Sequence, residues 1–170
     1  QTKELSDEML DRVRSCNGKI GWIGGSGRPD LSAAHSIIAG GYKDKSTSLI
    51  TACNDCVRRA QDDISLKIWP IPIKQLRMVS FCDSSFDFNG IRHQQGWLVG
   101  VTNEHLNQNR RAPVSIMLWK SRKLPRKAGS PQLVETYAAS YATADVSWVK
   151  CILYSGIYAD FDILTQRPYH

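Results

Sequence analysis

The chain has 170 residues, 42% of them hydrophobic and 22% charged, with 12 Gly, 7 Pro, 5 Cys and a formal charge of +6. This composition excludes collagen-like, fully disordered and disulfide-dense classes, and the length suits one domain or two small ones. No run approaches the ~20 apolar residues of a membrane span and no signal-peptide pattern opens the chain, so neither a membrane-embedded nor a secreted protein is expected.

In chain order, residues 3–15 predict a helix with acidic residues in its first turn and basic ones in its last, matching the helix dipole. A Gly-rich break follows at Gly24-Gly25-Ser26-Gly27. Pro29 then suits the first turn of an apolar helix that ends at Gly40-Gly41. A third helix is predicted from Ser46 to about Asp62, which makes the N-terminal third a small helical unit. Residues 66–71 read as a short strand-like segment broken by Pro70 and Pro72, an edge or a linker. Met78–Cys82, ending at Asp83, reads as a buried strand. Gly96–Thr102 and Val114–Trp119 follow as two more strands of an antiparallel meander. From Leu133 to about Tyr154 the apolar period is helical, for one helix or a pair. The chain opens on Gln1 and closes on Arg167-Pro168-Tyr169-His170, which reads as a segment of something longer.

Charge is unevenly placed. Between Glu104 and Glu135 there is no acidic residue but seven basic ones: Arg110, Arg111, Lys120, Arg122, Lys123, Arg126 and Lys127. The rest of the chain carries 15 basic and 16 acidic residues, so the whole excess lies in this stretch. A polyanion-binding face has this distribution, and a solvated loop without a partner is the plainer alternative.

The five cysteines are odd in number and scattered, which argues against a disulfide framework. Cys53 and Cys56 form a lone CxxC without a second pair or a nearby histidine. Their place in a helical pattern predicts small apolar core residues in preference to zinc or redox chemistry. The Gly24–Gly27 segment matches no dinucleotide, P-loop or nucleophile-elbow pattern and reads as a turn between packed helices.

The residues with most chemical promise are Asp83, at the end of a predicted strand, and Glu135, near the start of a predicted helix. Two such carboxylates, with a third, can hold the divalent cations of phosphodiester hydrolysis. A strand-end Asp and a helix-start Glu occur in any α/β domain, so spacing alone is weak support.

Trp119-Lys120-Ser121-Arg122-Lys123-Leu124-Pro125, then Ser130, Val134-Glu135 and Ala138, resembles the RNase H region of copia-type LTR retrotransposon polyproteins. There a Trp-Lys-Ser-basic-basic-x-Pro run leads through a Ser-rich turn to Ala-Glu-Tyr on the first helix. The 16 residues from Trp119 to Glu135 match that spacing without a gap. Phe81–Phe86 resembles the family's strand-then-Asp segment, Gly96-Trp97 its second strand, and Ser147–Leu153 the Trp-containing helix that follows. Gly18–Trp22, Arg28-Pro29-Asp30-Leu31, Cys53-Asn54 and Arg58-Arg59-Ala60 resemble the segments that close its reverse transcriptase. The chain departs from the family at Gly27 (Thr there), at Ser85 with Asp87 in place of an adjacent second acidic residue, and at Thr136 (Tyr there).

The resemblance implies an α/β, RNase H-like mixed sheet of three antiparallel strands followed by helices, cut short before a fourth strand. The helical reverse-transcriptase thumb or connection segment would span 1–65, a linker 66–76 and the RNase H-like domain 77–170. It implies two-metal hydrolysis of the RNA strand of RNA–DNA hybrids with Mg²⁺ or Mn²⁺. Asp83 and Glu135 would be the metal ligands, and Lys120, Ser121, Arg122, Lys123, Arg126 and Lys127 would hold the nucleic acid. The third metal-binding Asp is expected beyond His170, because Asp160 and Asp162 fall too early. The rest of the polyprotein would be a partner, no membrane is expected, and the setting would be intracellular: cytoplasmic or a virus-like particle. The rival reading is a non-catalytic nucleic-acid-binding or connecting module of the same fold.

Overall fold

The computed structural model describes residues 4–62, 64, 66–86, 93–108, 110–124, 128–158, 160–162, 164 and 167–168. It is an α/β structure with a three-stranded antiparallel sheet and four α-helices among the described residues. No helix among them is long and apolar enough to cross a membrane.

Helix α1 spans Asp7–Ser26, capped by the Ser6 hydroxyl accepting from the Met9 N–H at 3.3 Å. Its buried stripe of Leu10, Val13, Asn17, Ile20 and Gly24 steps by three and four residues. The helix runs eleven residues past the end expected at residue 15, through Gly18, Gly21, Gly24 and Gly25, each of which weakens a helix by about 1 kcal/mol. Tertiary packing overrides that cost. A Cβ on Gly21 would overlap the His35 ring of α2 (Pro29–Gly40), so the glycine is what lets the two helices approach. The Asn17 amide, fully buried, donates to the His35 carbonyl at 3.1 Å and to the Tyr42 hydroxyl at 2.8 Å.

Arg28 ties the start of α2 to the end of α3 (Ser48–Gln61). Its guanidinium donates to the Arg59, Ala60 and Asp62 carbonyls at 2.6, 3.1 and 3.1 Å, and grips both Asp30 oxygens at 2.9 and 3.0 Å. The last carbonyls of α3, which lack helical partners, are satisfied in this way. Cys53 and Cys56 point into the core of this unit with Leu10, Val13, Leu31 and Leu49. Burial pushes the Cys53 thiol up to about 11.

The sheet has the order β1 (Arg77–Ser85), β2 (Gln94–Thr102), β3 (Ser115–Lys123). Residues 66–72 form no strand. The Trp69 backbone is tied to the sheet there, its N–H and C=O bonded to the Ser115 hydroxyl at 2.8 and 3.3 Å beside Pro70. β1 is an edge strand and not the buried one expected: Ser80–Asp83 are exposed, and the strand runs two residues past Asp83. β3 continues through Lys123, four residues past its expected end, because residues 120–123 pair with Gln94–Trp97.

Helix α4, Pro131–Ile157, is one continuous helix, opened by the Ser130 hydroxyl accepting from Leu133 N–H at 3.2 Å. It packs across β1 and β2 through Val134, Ala138, Ala142 and Val149, whereas α2 packs on β3. A two-residue pairing of β4 (Phe161–Asp162) with β5 (Arg167–Pro168) follows, with Phe161 edge-on to Tyr154.

Candidate functional site

Register decides which side chains can meet. Cys82 lies opposite Trp97, and Trp97 opposite Lys120, so these three share the face under α4. Asp83 lies opposite Gly96, which lies opposite Ser121, and Phe81 opposite Leu98, which lies opposite Trp119. That second set faces α2.

On the α4 face Trp97 is buried and stacks on Tyr141, ring centroids 5.5 Å apart. Its indole N–H donates to Asp145 at 2.6 Å, and Lys120 donates to the same carboxylate at 3.1 Å. The Arg122 guanidinium lies 4.0 Å from the Tyr141 ring centroid and 5.2 Å from that of Trp97. Beside it across the sheet, Gln95 is fully buried, and among the described residues neither its amide atoms nor Arg122 Nε finds a hydrogen-bond partner. The basic run is therefore divided by strand alternation. Lys120 and Arg122 bind α4 to the sheet, while Ser121 and Lys123 face the other way. Arg126 and Lys127 lie outside the described residues, and Arg110 and Arg111 are exposed between β2 and β3.

Sequence reasoning passed over Asp145, Trp97 and Tyr141. The available signal was an acidic residue on the apolar stripe of α4, at Tyr141, Ala142, Asp145 and Val149, which calls for a donor on the surface it packs against.

On the α2 face a cleft of about 440 Å³ opens between α2 and the sheet, with Pro29 and Ala33 on one side and Phe81, Asp83, Leu98 and Trp119 on the other. Trp119 is anchored by donating its indole N–H to the Gly24 carbonyl at 2.7 Å. Asp83 is exposed, and its Oδ1 accepts from the Ser84 N–H at 2.9 Å. A second hollow of about 200 Å³ adjoins it, sharing Ser85 and Gln94 and reaching Gly40 and Lys123. The Gln94 amide donates to Ser121 Oγ at 2.9 Å.

Glu135 is exposed in the second turn of α4, across the sheet from the face that Asp83 uses. Val134 beside it packs with Leu124 and Ala128, against Phe86, so α4 begins at the end of β1 that carries Asp83. The two carboxylates thus share an end of the sheet and not a face. Among the described residues no group of three His, Cys, Asp or Glu side chains is placed to hold a metal ion. Asp83 and Glu135 are therefore not gathered with a third ligand among the described residues. Asp160 and Asp162 follow α4, and Asp162 accepts from the Leu164 N–H at 2.9 Å. No protein-family model matches this chain, and neither a curated protein nor a solved structure matches it.

Proposed function

We propose that this chain is a nucleic-acid-binding portion of a retrotransposon reverse transcriptase, its connecting segment joined to an RNase H-like domain, and that it holds the backbone of an RNA–DNA hybrid. What carries the reading is the acid-free basic stretch laid along β3. Arg110 and Arg111 are exposed before one end and Lys123 is exposed at the other, a strand length of about 27 Å at ~3.4 Å per residue. Cations spread over that length suit a phosphate backbone and carry no base sequence. Three antiparallel strands followed by a long helix agree with the RNase H-like order that the resemblance implies.

The test is hybrid binding by the 170-residue chain across a salt series, once with Mg²⁺ and once with chelator. The reading expects affinity to fall steeply with salt and to be equal in both. Binding that is flat with salt overturns it.

A second reading, hydrolysis of the RNA strand with Mg²⁺ or Mn²⁺ through Asp83 and Glu135, is favoured by the shared sheet end, where Phe86, just past β1, packs on the Val134 cluster. It expects hybrid cleavage by the full-length enzyme to be lost in Asp83→Asn and in Glu135→Gln. Unchanged cleavage in either variant removes it.

A further inference from the structure

The two hollows beside α2 form one trough, because Ser85 and Gln94 line both. We propose that this trough holds a short single-stranded stretch of nucleic acid, with one base stacked on Phe81, across Leu98 from Trp119, and the adjoining backbone on Lys123. The inference rests on the nucleic-acid reading above and deepens it by naming a single strand, as distinct from the duplex, as the occupant of this face.

The chemistry of the trough changes along its length. At the Pro29 end it is aromatic and apolar. Phe81 is 52% exposed there, on the wall of the larger hollow. An aromatic face open to solvent next to a basic stretch is the arrangement that single-strand binders use, since every base has a π-face to stack. Asp83 lies at the same end. A carboxylate repels phosphate but accepts hydrogen bonds from the exocyclic amino groups of bases, so it marks where base edges and not the backbone can lie. The Ser84 N–H fixes one Asp83 oxygen, and no described residue donates to the other. At the opposite end Lys123 is exposed and, unlike Lys120 and Arg122, faces the trough.

With α2 packed on β3 as one wall, the hollows of about 440 and 200 Å³ beside it have room for an extended strand laid along the cleft.

The experiment compares binding of a short mixed-sequence single-stranded RNA and the matching blunt RNA–DNA hybrid to the 170-residue chain by fluorescence anisotropy at low salt. Phe81→Ala is expected to lower single-strand affinity by roughly 5- to 50-fold and to leave hybrid affinity within about twofold. Ala33→Trp, on the exposed surface of α2, fills the trough from its other wall and should block the single strand alone. It keeps the test decisive if Phe81→Ala fails to fold. Lys123→Glu should weaken both ligands. Hybrid binding without single-strand binding, or equal loss of both in Phe81→Ala and in Ala33→Trp, overturns the inference and leaves the hybrid reading standing. Binding of neither ligand overturns both.

Discussion

The Trp97 indole N–H donates to the Asp145 carboxylate at 2.6 Å, joining the central strand to the middle of α4 across 48 residues of sequence. Asp145 is 17% exposed, and its second tie is to Lys120, whose side chain is 48% exposed. The bond to the indole is therefore the sheltered one, and the ion pair is screened by solvent.

Asp145→Asn keeps the shape but removes the charge that both donors share. A charge-assisted bond of this kind contributes about 1.5–3 kcal/mol, so the urea midpoint should fall by a corresponding amount, with altered Trp97 emission. Lys120→Met should cost less than about 1 kcal/mol, because the pair is half in water. Equal losses in the two variants would show that the indole bond is not the dominant one.

Acid should loosen the helical unit through Asp30. The Arg28 guanidinium holds the Asp30 carboxyl below its ordinary value by hydrogen bonding and then by charge. A carboxyl lowered on folding adds stability that is complete above its unfolded value of ~3.9 and lost as pH falls through the folded value. Urea midpoints measured from neutral pH down to about pH 3 should decline at the acid end in the wild type and decline less in Asp30→Asn. Asp30→Asn should also be less stable than the wild type at neutral pH, where the carboxylate is charged. Parallel curves would assign the acid sensitivity to other carboxylates.

Thiol reactivity should follow burial. Cys53 is buried with its thiol pushed up to about 11, first by desolvation, whereas Cys82 is exposed on β1. At about pH 8 an aromatic disulfide reagent should label Cys82 promptly and reach Cys53 and Cys56 only after denaturant is added. Prompt labelling of Cys53 in the native protein would mean that α3 opens locally from α1.

Several features were legible in the sequence because they are local. Pro29 opens α2, the helical spacing of Cys53 and Cys56 places them in a core, and the strand-strand-strand-helix order is that of the structure. The continuation of α1 past residue 15 was not legible, because it rests on packing against α2, where the His35 ring needs Gly21 bare.

By itself the sequence determined the four helices and the three strands of the sheet, their order and the confinement of excess positive charge to one stretch, since periodicity and charge need only neighbours along the chain. The tertiary structure alone decided the facing of that stretch. Pairing of β3 with β2 through Lys123 turns a basic run into a strand, and a strand sends alternate side chains to opposite faces. Lys120 and Arg122 consequently lock α4, Lys123 faces the trough, and Asp83 lies on the face away from the helix that carries Glu135. Such outcomes depend on register between segments many residues apart, which no local pattern specifies.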